Sequence, residues 1–197
     1  MATELTSTVL DRLETLFERG PLVGQTDRRL LDLFATADGP AAEHAFSALV
    51  HRHAGMVHRV CQGLLNDSHE AEDATQATFL VLARRARTIR GTESLSSWLY
   101  GTARRIALRA RRDAIRRDRH EREKAVRTER PRTSVLDEDS SRTLYRELDR
   151  LPEIQRTPIV LCYLENLTHE QAAVRVGCPI RTFQSRLLRG RQKLQTR

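Results

Sequence analysis

Apolar residues recur at spacings of three and four along almost the whole chain, and no stretch alternates with a period of two for long. A helix turns about every 3.6 residues and a strand repeats every second one, so the pattern predicts an all-α protein. Helices are expected over residues 4–19, 27–36, 41–65, 68–89, 95–118, 141–150, 153–165, 169–176 and 180–193. Breakers separate them: Gly20-Pro21, Asp38-Gly39-Pro40 and Asn66-Asp67-Ser68, the last offering Asp67 as a cap paired with Glu70. Thr168 and Gln171 form a capping box for a short helix. Pro158 falls inside an expected helix, where its missing N–H predicts either a restart capped by Thr157 or a kink.

Between about Asp118 and Ser141 the apolar rhythm fades, Pro131 appears and charges of both signs mix densely, as in a solvated linker. The expected architecture is therefore two small helical domains, 26–118 and 140–197, joined by a flexible charged linker over 119–139. With 197 residues and 39% hydrophobic content, each has enough apolar material for a core. Residues 1–25 form an extension with Val9, Leu13, Leu16 and Phe17 at helical spacing, a further expected helix of unassigned role.

The charge is concentrated. From Arg104 to Arg132 there are 13 Lys or Arg against 5 Asp or Glu, an excess equal to the whole chain's +8. Such a stripe favours a polyanionic partner, because clustered cations displace the counterions condensed on phosphates. Cys61, Cys162 and Cys178 contain no C-x-x-C pair and suit a reducing compartment. The early acids Glu4, Asp11, Glu14 and Glu18, and apolar runs as short as Phe79 to Ala83 and Ile159 to Leu164, predict a cytoplasmic chain with no membrane insertion.

From Leu167 the sequence LTHEQAAVRVGCPIRTFQSRLLRGRQKL has the lengths of a helix-turn-helix. On the second helix Ile180, Phe183, Leu187 and Leu194 share the anchoring side, while Arg181, Ser185, Arg189 and Gln192 face away. Arg bridges two acceptors on guanine, Gln pairs with adenine, and Thr182 near the helix N-terminus suits a phosphate. An amphipathic surface helix whose arginines only keep it soluble would carry similar charge. The capping box, the glycine turn and a face without acids favour the DNA reading.

The helix DSHEAEDATQATFLVLARRAR turns Ala71, Thr75, Phe79, Leu82, Ala86 and Ile89 inward, and Asp73, Gln76, Leu80 and Arg84 outward. An outward Leu amid acid and amide groups fits contact with a partner protein, although single exposed leucines are common. The next helix, ESLSSWLYGTARRIALRARRDAIRRDR, could use Leu95, Trp98, Leu99, Tyr100 and Ile106 as core. Equally, its serines and aromatics followed by Arg104, Arg105 and Arg109 could hold an unpaired strand, rings stacking on bases and Arg gripping phosphates.

Three segments, FSALVHRHAGMVHRVCQGLLNDSHEAEDATQATFLVLARRARTI, ESLSSWLYGTARRIALRARR and LPEIQRTPIVLCYLENLTHEQAAVRVGCPIRTFQSRLLRGRQKL, together resemble a bacterial RNA polymerase sigma factor of the extracytoplasmic-function type. The resemblance covers about residues 43–112 and 144–194. It implies that Glu70, Glu72, Asp73, Gln76, Phe79 and Leu80 dock on the clamp coiled coil of core polymerase. It implies that Ser94, Ser96, Trp98, Tyr100, Arg104, Arg105, Arg109 and Arg112 read and hold open the minus 10 element as a single strand. Arg181, Thr182, Gln184, Ser185, Arg186, Arg189 and Gln192 would read the minus 35 element as duplex. Arg105 and Arg109 stand where many members carry Asn and Asp, and Arg181 and Gln184 replace a frequent Gly and Lys. An anti-sigma factor is a further partner the resemblance admits.

A different class, a stand-alone helix-turn-helix regulator of duplex DNA, would need neither the acidic helix nor the Trp-Arg helix. An enzyme fits least: no Gly-rich phosphate loop and no nucleophile with a partnered base appears, so no catalytic residues and no cofactor are expected. His51, His53 and His58 look like a metal cluster at first, but no acid or thiol completes it at ligand spacing. They are expected to be exposed or half-buried, with no metal.

Overall fold

The computed structural model describes residues 25–65, 67–89, 94–124 and 135–196. The expected helix over 4–19 lies outside these residues, as does the middle of the expected linker. Eight α-helices are described: α1 (Asp27–Thr36), α2 (Pro40–Gln62), α3 (Ser68–Arg85), α4 (Leu95–Lys124), α5 (Val135–Asp149), α6 (Glu153–Ile159), α7 (His169–Val176) and α8 (Ile180–Gln195). A 3₁₀ turn over Ala86–Thr88 follows α3, and a π turn over Val160–Leu164 extends α6. No strand occurs among the described residues, so the chain is all-α.

Two compact units are recognisable. One comprises the described residues up to Arg52 together with Arg85–Ile89. Its core includes Leu30, Leu31, Ala45 and Leu49. Phe34 and Phe46 stack with ring centroids 4.8 Å apart, an arrangement suited to their quadrupoles. Thr26 caps α1 by accepting from the Arg29 N–H at 3.2 Å, and the half-buried Arg52 guanidinium pairs with the buried Asp27 carboxylate. The Arg87 Nε–H closes the unit on the Ala35 carbonyl at 3.0 Å.

The other unit holds the described residues of His53–Arg84 and those beyond Arg90. Its α3 starts as its sequence predicts, since the Asp67 carboxylate accepts from the His69 and Glu70 N–H groups at 2.8 and 3.0 Å. Those two bonds, the Glu70 one foremost, hold the Asp67 carboxyl below its ordinary range. Burial acts oppositely on Cys61, whose thiol is pushed up to about 11 despite a lowering hydrogen bond with Thr75. At neutral pH Cys61 is therefore a protonated, unreactive packing group.

The capping box of α7 is complete. Thr168 Oγ1 accepts from Gln171 N–H at 3.3 Å, and Gln171 Oε1 accepts from Thr168 N–H at 3.0 Å. At the far end Gly177 turns left-handed at φ 71°, with Gly177 N–H on the Val174 carbonyl and Cys178 N–H on the Ala173 carbonyl, both at 3.1 Å. These are the two bonds of a Schellman motif. No atom lies within 4 Å of where a Cβ on Gly177 would stand. Gly177→Ala is thus expected to cost only the left-handed backbone strain, roughly 1–2 kcal/mol, read as a lower thermal midpoint with unchanged helix content.

Three expectations are corrected. Helices α4 and α5 run to Lys124 and back to Val135, well into the expected linker. Arg, Glu and Lys are good helix formers and need no apolar stripe to continue a helix already begun. Thr157 caps nothing, because it is buried inside α6, which passes through Pro158. The distortion falls downstream instead: Glu165 N–H bonds to the Val160 carbonyl five residues back, at 3.1 Å, which widens the last turn. His53, finally, is neither exposed nor half-buried but has no accessible surface at all.

Candidate functional site

Three faces carry the residues expected to act. On α3 the burial pattern divides the helix cleanly: Ala71, Ala74, Thr78, Phe79 and Leu82 are buried, while Glu72, Asp73, Gln76, Leu80 and Arg84 are exposed. Leu80 keeps 60% of its surface, a large apolar group in an acidic and amide setting. Phe79 belongs to the core beneath that face. Glu70 is half-buried and pairs with Arg117 at 3.0 Å.

On α4 the expected strand-holding residues fall into two sets. Arg105, Arg109 and Arg112 are exposed, and Trp98 is half-buried. Two of these arginines are steadied from their own helix, Arg105 donating to Thr102 Oγ1 at 3.0 Å and Arg112 Nε to the Leu108 carbonyl at 3.1 Å. Ser94, Ser96 and Tyr100 are buried, and Ser94 Oγ accepts from the Ser97 N–H at 3.2 Å near the start of the helix. Arg104 lies largely covered and pairs with Asp149 at 3.0 Å. Tyr100 has no exposed surface, and burial raises its phenol well above the ordinary tyrosine range against the opposing pull of Arg104 and Arg156.

On α8 the anchoring side rests on Phe183 and Leu187, both buried, with Leu194 half-buried. Ile180, expected among the anchors, is exposed at the first residue of the helix. Arg181, Thr182, Gln184, Ser185, Arg189 and Gln192 are exposed and Arg186 is half-buried. Five of these, Arg181, Thr182, Ser185, Arg186 and Arg189, line an open cleft of about 390 Å³ with Ile154 and Gln155 of α6. No acid lines it, and Arg181, Arg189, Thr182 and Ser185 offer donors suited to phosphate oxygens or base-edge acceptors.

Sequence reasoning missed what seats α8. Gly190 is buried, and a Cβ there would stand 2.9 Å from both the Gln155 carbonyl oxygen and Ile159 Cδ1. A glycine inside an otherwise good helix pattern, three residues after the anchoring Leu187, was the available signal. It also missed Glu165, whose carboxylate is almost wholly buried between His53 Nδ1 at 2.8 Å and Arg175 at 2.9 Å. His53 and Glu165 are 112 residues apart. Among the described residues no three His, Cys, Asp or Glu form a group able to hold a metal, and no helix is long and apolar enough to cross a membrane.

Comparisons with known proteins match two segments of the chain. The Sigma-70 region 2 family profile matches residues 49–117, and the Sigma-70, region 4 profile matches residues 141–194. The ECF RNA polymerase sigma factor SigE of Mycolicibacterium smegmatis is 34% identical over 171 residues, covering 82% of this chain and 64% of that protein. The chain thus spans a little under two thirds of that relative's length. The RNA polymerase sigma-H factor of Pseudomonas aeruginosa is 26% identical over 185 residues, covering 88% and 94%. A solved structure of the sigma factor RpoE with the anti-sigma factor NepR from Bartonella quintana aligns at 22% identity over 77% of this chain and 94% of that one, with a TM-score of 0.37. With region 2 carrying the acidic and the Arg-rich helices, and region 4 the helix-turn-helix, the chain belongs to the RNA polymerase sigma factors of the extracytoplasmic-function type, which direct transcription initiation at promoters.

Proposed function

We propose that the chain divides its work between a domain over 26–118 and a helix-turn-helix domain over 140–197. The outward face of α3, through Glu72, Asp73, Gln76 and Leu80, docks on the clamp coiled coil of core polymerase. The exposed arginines of α4 hold the melted minus 10 strand, and α8 reads the minus 35 duplex. The chain hydrolyses nothing. Strand opening draws on binding, since bases captured from the stack offset the stacking they lose. It acts in the cytoplasm, where the polymerase and the chromosome are, and an anti-sigma factor that covers either face would silence it.

One observation carries this reading: the exposed faces of α3 and α8 have opposite chemistry, acid and amide around Leu80 on the first and the exposed arginines Arg181 and Arg189 on the second. A single polyanion would be repelled by one of them. Run-off transcription with purified core enzyme on a promoter library tests it, and no core-dependent initiation, where a known sigma factor succeeds, sinks it. Arg189→Ala should weaken duplex recognition by about 10-fold, as a lost base or phosphate contact is worth about 1–3 kcal/mol, and leave core affinity unchanged. Asp73→Ala should do the reverse. Exchanged effects would show that the two faces have been assigned to the wrong partners.

A further inference from the structure

The cleft beside α8 is lined by two helices of different chemistry. Arg181, Thr182, Ser185 and Arg189 of α8 bring exposed polar groups to it, whereas α6 brings Ile154, a hydrocarbon that neither donates nor accepts a hydrogen bond. Ile154 is the second residue of α6 and keeps 40% of its surface. One turn further on, Thr157, Pro158 and Ile159 are buried, so the apolar side of α6 begins outside the core, on the cleft. The two helices meet closely: a Cβ on Gly190 would stand 2.9 Å from the carbonyl oxygen of Gln155, the residue after Ile154. The first turn of α6 therefore keeps a set place relative to the exposed arginines of α8.

Base-pair edges in the major groove present donors and acceptors with one exception, the C5 methyl of thymine. An isoleucine set against the amine of cytosine or the O6 of guanine covers a polar atom without bonding it, which opposes binding. Against a thymine methyl it takes apolar surface out of water on both sides. We propose that Ile154 is a specificity-determining residue that selects a thymine at one step of the minus 35 region by contact with its methyl group. The inference rests on the reading of α8 as the duplex-reading helix and deepens it: α8 supplies the donors, and α6 recognises the one base-edge group that donors cannot.

Covering one methyl-sized group is worth a factor of about 4 in affinity. Thymine should be preferred over uracil at that step by roughly this factor, and over cytosine by more, because the cytosine amine is left without a partner. Since the methyl is recognised and not the whole base, 5-methylcytosine should be accepted better than cytosine at the same place.

The full chain with core enzyme is first used to select promoters, by run-off transcription, from a library randomised over the minus 35 region. In the best promoter each thymine of that region is then replaced singly by deoxyuridine, which deletes only the methyl. Initiation at limiting chain concentration is compared for wild type, Ile154→Ala, Ile154→Val and Arg189→Ala, with circular dichroism confirming helix content. At one thymine the replacement should lower wild-type initiation about 4-fold and leave Ile154→Ala unaffected, with Ile154→Val, still a branched hydrocarbon, retaining part of the penalty. Selection of no thymine, or the same penalty in wild type and Ile154→Ala, overturns the methyl contact. So does an Ile154→Ala chain weakened equally on every template, which would put Ile154 against the sugar-phosphate backbone. Arg189→Ala separates the two readings. If it lowers initiation while the penalties ignore Ile154, the methyl contact alone falls; if it changes nothing and no upstream base is preferred, the duplex reading of α8 falls and takes the methyl contact with it.

Discussion

Phe183→Ala should cost about 3–5 kcal/mol of folding stability, the range for emptying a buried aromatic site. The ring has no exposed surface, lies 6.2 Å from the His169 ring, and sits on the side of α8 that packs against α6 and α7. Because α7 has only eight residues, it draws most of its stability from packing rather than from its own hydrogen bonds. Urea unfolding followed by circular dichroism gives the cost directly. Duplex binding should fall with it, although no exposed residue of α8 has changed. Phe183→Leu keeps most of the volume and should lose much less; equal losses for Leu and Ala would mean that the ring does not organise this packing.

Glu165→Ala should be nearly as damaging, about 3 kcal/mol. The carboxylate keeps only 4% of its side-chain surface and faces both His53 and Arg175. Removing a buried carboxylate that two side chains face costs about 3–5 kcal/mol when its partners stay buried. Arg175 retains about a fifth of its surface and can turn toward water, which places the expectation at the lower end. A double-mutant cycle over His53→Ala and Glu165→Ala should return a coupling within about 0.5–3 kcal/mol. Additive losses would mean that the two side chains merely share a location.

What the sequence made legible is what is local. The Thr168-Gln171 box, the Asp67 cap and the two-sided burial of α3 each depend on residues within a turn or two, where spacing dictates geometry. The outward set of α8 was legible for the same reason. The His53–Glu165 pair joins residues from different segments, and no periodicity links them. Gly63 and Gly190 act through an absent atom, so their effect exists only once a neighbour arrives. The π turn escaped notice because Pro158 announces a lost hydrogen bond without saying where the helix will absorb it. Tyr100 illustrates the same limit at the candidate site: its residue type suits base stacking, and only the folded chain shows Tyr145 and Arg156 beside it.

Gly190 has one more consequence. Its lone hydrogen lets the backbone of α8 lie directly on the Gln155 carbonyl, so the seating of the helix's exposed side chains is fixed from behind. A methyl there would lift or roll the whole exposed row together without altering a single donor. If α8 reads duplex as proposed, promoter preference can drift through Gly190, a buried position on the side of the helix away from its exposed row.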